Sequence, residues 1–339
     1  MTQSRRERHE WRLFFGLSIG SALISAWFGY SQNDEASPLH SALVGVVASI
    51  VIATPIMLLE LKGQRTVLRR MQRLPLLAYL GLKIVIYMVI ILGGLILVRA
   101  LNISTNRAFD AAFGHSILFA VAMSVAANLV FEIGGLLGYG TLKNLLLGRY
   151  VKPRREQRAF LLIDMKDSTG MAERLGSVKF HELLNDFFRD VSDAALECEA
   201  EIHKYVGDEA ILTWPGGAAL AQGECLRCVF VARDFIEANR KAYLARFGAV
   251  PSFRASVHYG EIVAGEIGDV RREIAYVGDT LNVAARLLEA AKELGHDVLV
   301  SDDLLARAPL PGGLQTMKLP VLSVRGRAAP LGVSALESA

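Results

Sequence analysis

The chain has 339 residues, 52% of them apolar, and a mean hydropathy of +0.34, which excludes an ordinary soluble enzyme of this length. Its net charge of +3 sits mostly beside apolar stretches, so it gives no ground for nucleic-acid binding. Only three cysteines occur, Cys198, Cys225 and Cys228, which excludes a disulfide framework.

Four apolar stretches come first: Trp11 to Tyr30, Ser41 to Leu61, Leu76 to Leu101 and Ala112 to Gly138. Each is near or above the ~20 residues that cross a bilayer as a helix. Arg5, Arg6 and Arg8 before the first stretch have the look of a signal peptide, but the run is long for one and three more follow. The N-terminus, "KGQRTVLRRMQR" and "KNLLLGRYVKPRREQR" are basic, whereas "SQNDEASPLH" has no Lys or Arg and "NISTNRAFD" has only Arg107. Cytoplasmic loops retain Lys and Arg, so a multi-pass protein of the inner (plasma) membrane with both termini cytoplasmic is expected. Glu132 is an ionisable group within a span, which is usually functional or paired; it lies toward the cytoplasmic end of the fourth span, where packing or snorkelling into nearby water is the other reading. His40 and His115 fall near the outer face with Asp34, Glu35 and Asp110 close in sequence. A proton- or metal-sensing patch is one reading there, and solvated loop histidines the other.

Residues 1–140 are thus expected to form an all-α four-helix transmembrane domain, 141–158 a basic cytoplasmic linker, and 159–339 a globular domain large enough for its own core. In that domain "RAFLLID" reads as a strand ending at Asp164. A helix follows, with Phe180, Leu183, Leu184, Phe187 and Val191 on one face. "KYVGDEAILTW" is a hairpin about Gly207 and Asp208. A long helix over residues 216–243 holds Cys225 and Cys228, which lack partners for a zinc site and read as buried small residues. The strand pair "PSFRASVHYGEIVAGEIG", the helix "GDTLNVAARLLEAAKEL" and further strands complete an α+β domain with its helices on one face of the sheet.

If their strands are neighbours, Asp164 and Asp208 project from one sheet edge. Two carboxylates without a nearby His or Cys suit Mg²⁺ with substrate phosphates, and hence phosphoryl or nucleotidyl chemistry. The plainer alternative makes Asp208 a turn residue and "DMKDSTG" a helix start. Asn282 and Arg286, four apart, share a helix face. They suit either a ribose and a developing phosphate charge or a solvated stripe.

Together, "FLLIDMKDST", "HKYVGDEAILTW", "VHYGEIVAGEIGD" and "YVGDTLNVAARL" resemble, in order, the class III nucleotidyl cyclases that make cyclic AMP or cyclic GMP. The resemblance spans residues 158–336 and implies the ferredoxin-like fold of that family. It also implies that Asp164 and Asp208, with Met165 between strand and loop, hold two Mg²⁺ or Mn²⁺ ions. The loop through Asp167, Ser168 and Thr169 would cradle phosphates, Lys204 would read the purine, Asn282 would orient the ribose and Arg286 would meet transition-state charge. Arg325 matches a residue that contacts terminal phosphates. By the same resemblance the substrate is ATP and the active sites are shared across a homodimer.

One position departs from the family pattern. Ala275, seven residues before Asn282, stands where a hydrogen-bonding reader of the purine is usual, and its methyl cannot take that part. Lys204 argues for adenine, but a guanylate cyclase, or a membrane sensor or scaffold with an impaired cyclase-like domain, stays open as an alternative. A diguanylate cyclase is disfavoured, because Val206 precedes Gly207 and Ala210 follows Glu209. A transporter has only Asn128 and Glu132 in its favour. The expectation is a membrane-bound adenylate cyclase releasing cyclic AMP and pyrophosphate.

Overall fold

The computed structural model describes residues 5–31, 37–63, 71, 74–101, 111–270, 272–322 and 330–339. The chain divides between Tyr139 and Gly140 into two compact units.

The first unit holds α1 (Arg5–Ser31), α2 (Pro38–Gly63), α3 (Leu76–Ala100) and α4 (Ala111–Leu137). Each contains 19 to 24 consecutive residues apolar enough to cross a membrane. Large apolar side chains such as Trp27, Leu43, Val89 and Leu118 face outward, as expected of helices that are apolar on all sides. Small residues set the α1–α2 crossing: a Cβ on Gly29 would lie 2.2 Å from the Ser41 carbonyl oxygen, and one on Gly45 as close to that of Ser25.

Glu132 does not simply snorkel. Its Oε1 accepts from Lys83 Nζ at 2.8 Å and from the Tyr79 hydroxyl at 2.9 Å. The same Lys83 nitrogen lies 2.8 Å from Glu60, which also accepts from Tyr87. Lys83 and Glu60 are fully buried, so polar pairing inside the helix cluster replaces contact with water. Of the two histidines expected near the outer face, His115 is exposed, and the buried Nε2 of His40 has no partner among the described residues. Asp34, Glu35 and Asp110 lie outside the described residues.

The second unit runs α5 (Tyr139–Leu146), β1 (Arg154–Met165), α6 (Ser168–Leu175), α7 (Ser177–Glu197), β2 (Glu201–Val206), β3 (Glu209–Pro215), α8 (Gly216–Ala221), α9 (Glu224–Ala238), α10 (Arg240–Phe247), β4 (Phe253–Ile267), β5 (Glu273–Val277), α11 (Asp279–Glu293), β6 (Val298–Ser301), α12 (Asp302–Leu305), β7 (Leu314–Leu322) and β8 (Leu331–Ser338). The sheet order is β2-β3-β1-β4-β6-β8-β7, with β5 paired to β4 alone. Only β4–β6 is parallel among these pairs.

Helices cover both faces of the sheet, not one. Phe160, Leu161, Leu162 and Ile163 are all at most 1% exposed, so alternate residues of β1 point both ways into apolar surroundings. Leu161 and Ile163 pack with Leu183 and Phe187 of α7 and Val229 of α9. Phe160 and Leu162 pack with Ala284 and Leu288 of α11 and with Tyr276 of β5. The three cysteines are buried on the α7–α9 side, with Cys225 pushed up to about 12 by burial. They are inert packing groups.

β1 begins at Arg154, inside the stretch that reads as linker. The buried Arg158 makes this workable: its Nε donates to Thr213 Oγ1 at 3.0 Å, and its other nitrogens pair with Glu156 and Glu201. The helical pattern over 216–243 is broken near Gly223, which adopts φ 64° between α8 and α9.

Candidate active site

The central strand β1 pairs with β3 and β4, so Asp164 stands opposite Glu209 on one side and Arg254 on the other. Directly opposed residues of antiparallel strands share a face. By parity with Phe160 and Leu162, this is the face under α11.

The hairpin register pairs Val206 with Glu209 and leaves Gly207 and Asp208 as a two-residue turn. Gly207 sits at φ 63°, the conformation such a turn demands of its first residue. The Met165 N–H donates to the Asp208 carbonyl at 3.4 Å, which ties the turn to the end of β1.

Charge accumulates there. Burial raises the Asp164 carboxyl above the usual carboxylate range and the Asp208 charge raises it further, against Lys292 and Arg254. Burial, then Asp164 and Asp208, lifts Glu209 to about 7. Uncompensated carboxylates of this kind fit a hard cation. Among the described residues no group of three or more His, Cys, Asp or Glu stands at metal-holding spacing. Asp164 and Asp208 are the residues at this strand end that could hold such a cation, and two carboxylates suit Mg²⁺ with further oxygens from substrate phosphates.

The loop from Met165 leads into the N-terminus of α6. Asp167 adopts a left-handed φ of 52°, and its carbonyl accepts the Met171 N–H at 2.9 Å. Its carboxylate is engaged by Arg174 at 3.1 Å and hangs over Gly170, where a Cβ would come within 2.4 Å. The backbone around Ser168 and Thr169 is therefore the part of this loop suited to an anion, since first-turn amides lack intrahelical acceptors.

Lys204 reaches the α11 face through a β-bulge. Ile202 pairs with Leu212, whereas Lys204 pairs with Ile211, with the register slipping at His203. Leu212 belongs to the α7–α9 core and Ile211 to the α11 core. Without the extra residue Lys204 would follow Ile202 under α7; the bulge re-aims it. Its Nζ lies 3.7 Å from Glu273 Oε1 on β5. His203 lies tilted against Tyr276, ring centroids 4.6 Å apart at 46°, and burial, then the Lys204 charge, lowers its imidazole to about 4.

Ala275 is on β5 opposite Gly265. Asn282 and Arg286 lie on the exposed side of α11, and Arg286 donates to Glu289 at 2.7 Å. Lys292, whose charge acts on Asp164, is six residues beyond Arg286 and ten beyond Asn282, or ~9 and ~15 Å along the helix. One chain therefore unites Asp164 with Asp208 and Lys204 with Glu273, and places Asn282 in the first turn of α11 and Arg286 at its middle. Arg325 lies outside the described residues. Sequence reasoning passed over Glu209, Arg254, Lys292 and Glu273. Glu209 was visible as an acid next to Asp208; the others come into view only with the strand register and the seating of α11.

The fold is a mixed sheet clad on both faces, with neighbouring carboxylates at the end of its central strand. Residues 151–327 match the family described as the Adenylate and Guanylate cyclase catalytic domain. That is more than half of the chain, which belongs to this family. The chain is 34% identical over 324 residues to Adenylate cyclase 2 of Rhizobium meliloti (strain 1021), covering 94% of this chain and 87% of that protein. It is 27% identical over 216 residues to Adenylate cyclase 1 of the same organism, covering 62% of this chain and 30% of that protein. Among solved structures, the adenylyl cyclase CyaB from P. aeruginosa is similar at 18% identity and a TM-score of 0.47, over 56% of this chain and 97% of that one.

Proposed function

We propose that the protein is a membrane-bound adenylate cyclase that acts as a homodimer and converts ATP to 3′,5′-cyclic AMP and pyrophosphate. The observation that carries this reading is the placing of Asp208, on the β2–β3 turn, beside Asp164 at the end of β1, the two tied by the bond from the Met165 N–H to the Asp208 carbonyl, on a sheet end whose α11 face also carries Lys204. The R. meliloti relative, similar along 94% of the chain, supports adenine as the base. The four apolar helices and the basic segments beside them support a membrane anchor with the cyclase unit on the cytoplasmic side.

In this reading Asp164, Asp208 and the Met165 carbonyl hold two Mg²⁺ or Mn²⁺ ions. Such ions, if bound there, would supply Lewis acidity toward the ribose 3′-hydroxyl and offset phosphate charge. The first-turn amides of α6, from Asp167 to Thr169, hold phosphate oxygens. Lys204 donates to the purine. Asn282 orients the ribose so that its 3′-oxygen bonds to the α-phosphorus as the bond to the pyrophosphate oxygen breaks. Arg286 exchanges Glu289 for the phosphate charge that builds during this step. Because Asn282 and Arg286 stand away from Asp164 along α11, they serve the aspartates of a second copy.

The test is turnover of ATP and GTP in parallel by full-length protein with Mn²⁺, with Asp208→Ala as control. Cyclic AMP from the wild type alone is expected. Cyclic GMP in its place would change the substrate, and no cyclic product from either nucleotide would turn the reading toward a sensor or scaffold.

A further inference from the structure

The purine subsite has a vacancy at Ala275 and a candidate to fill it two residues away. On a strand, alternate residues point to the same side, so Glu273 shares that of Ala275. Ala275 ends at a methyl group, and no longer side chain competes with Glu273 at that neighbouring position. The Glu273 carboxylate lies 3.7 Å from Lys204 Nζ, and the two side chains are 45% and 40% exposed. Both heads are thus open to a ligand, and an exposed pair of this kind adds little to folding.

Resting on the cyclase reading above, we propose that Glu273 is the purine-specificity residue of this chain, standing in for the hydrogen-bonding group that Ala275 lacks. A carboxylate only accepts hydrogen bonds and an ammonium only donates them. Adenine presents the complementary pair on one edge, an exocyclic amino donor beside the N1 acceptor. Glu273 takes the amino group and Lys204 donates to N1. Guanine in the same pose sets its carbonyl oxygen against the Glu273 carboxylate and its N1–H against the Lys204 ammonium. Both contacts turn repulsive, so the pair selects for adenine and against guanine. The bulge at His203 is part of the device, since it turns Lys204 toward β5.

The experiment compares full-length wild type, Glu273→Ala, Glu273→Gln and the double variant Glu273→Ala/Ala275→Asp. Dissociation constants of ATP and GTP are read by displacement of a fluorescent ATP analogue, with turnover measured in parallel. Loss of one such contact costs about tenfold in the ATP:GTP affinity ratio, and that fall is expected for Glu273→Ala. Glu273→Gln, whose amide can also donate, should gain GTP affinity, and Ala275→Asp should restore preference for ATP in the double variant. The loss should appear in KM more than in kcat, because the base lies away from the reacting atoms. A role in folding alone would lower activity and leave the ratio in place. An unchanged ratio in both single variants overturns the assignment of Glu273. A shifted ratio in protein that makes no cyclic product keeps the assignment and removes the cyclase reading.

Discussion

Asp208 occupies a turn, and turns use aspartate freely; what distinguishes it is that its charge acts on Asp164 from across the strand end. Replacing it with asparagine keeps the turn and removes the charge. Asp208→Asn should therefore lower metal-dependent turnover by about a hundredfold or more with the circular-dichroism spectrum unchanged; turnover near the wild-type rate would refute the ligand role. His203 gives a pH prediction. Its folded value near 4 lies below the ordinary value of about 6.5, so the unfolded chain takes up a proton that the folded one refuses. The stability is intact above about pH 6.5 and drains away as pH falls toward 4, by ~2 kcal/mol between pH 7 and pH 5. Chemical-denaturation midpoints at the two pH values should show this drop in the wild type and a smaller one in His203→Gln. Equal drops would place the acid sensitivity elsewhere. At this scale the sequence was legible where chemistry is local. Asp164 closes an apolar run, Asp208 tips a hairpin, and Asn282 and Arg286 repeat at helical spacing. Arg254, Lys292 and Glu273 gain their meaning from register and from which face α11 covers, and neither is written in any short window.

At the scale of elements, periodicity located the four spans, the β2–β3 hairpin and α11, because each has an uninterrupted apolar pattern of one period. It did not locate β1 before Ala159. There the charged residues Glu156 and Arg158 read as part of the linker, and only the fold supplies Thr213 and Glu201 as partners for Arg158 and Tyr150 for Glu156. The fourth span hid a similar pairing. Glu132 and Lys83 are 49 residues apart, and nothing in the linear sequence links them. Their junction with Glu60 yields a stability prediction for the helical unit. Lys83→Met leaves the buried Glu60 carboxylate, and the part-buried Glu132 beside it, without their shared ammonium, and breaking a buried pair in this way costs about 3–5 kcal/mol. The variant should melt well below the wild type in detergent. Adding Glu60→Gln and Glu132→Gln removes the stranded charge and should restore most of the loss. A Lys83→Met protein that melts with the wild type would show that the pairing carries no weight.

The whole molecule poses a different question, because the residue of α11 whose charge acts on Asp164 is Lys292, while Asn282 and Arg286 are proposed to act with the aspartates. Asp164 lies near the end of β1 and Asp208 on the β2–β3 turn beside it, while Asn282 lies in the first turn of α11 and Arg286 at its middle, ~15 and ~9 Å along the helix from Lys292. A closed twofold assembly resolves this if each copy lends its α11 residues to the aspartates of the other, giving two equivalent shared sites. Complementation separates this arrangement from a site built within one chain. Asp208→Ala and Arg286→Ala should each be inactive alone, since each spoils both sites of its own dimer. Co-expressed in equal amounts, half of the dimers pair one variant with the other, and each of those holds one intact site of two. About a quarter of the wild-type rate should return, and size-exclusion chromatography should show the two chains eluting together. Two inactive variants that stay inactive when mixed, despite forming a mixed dimer, would mean that each chain builds its site alone and that α11 moves to close it.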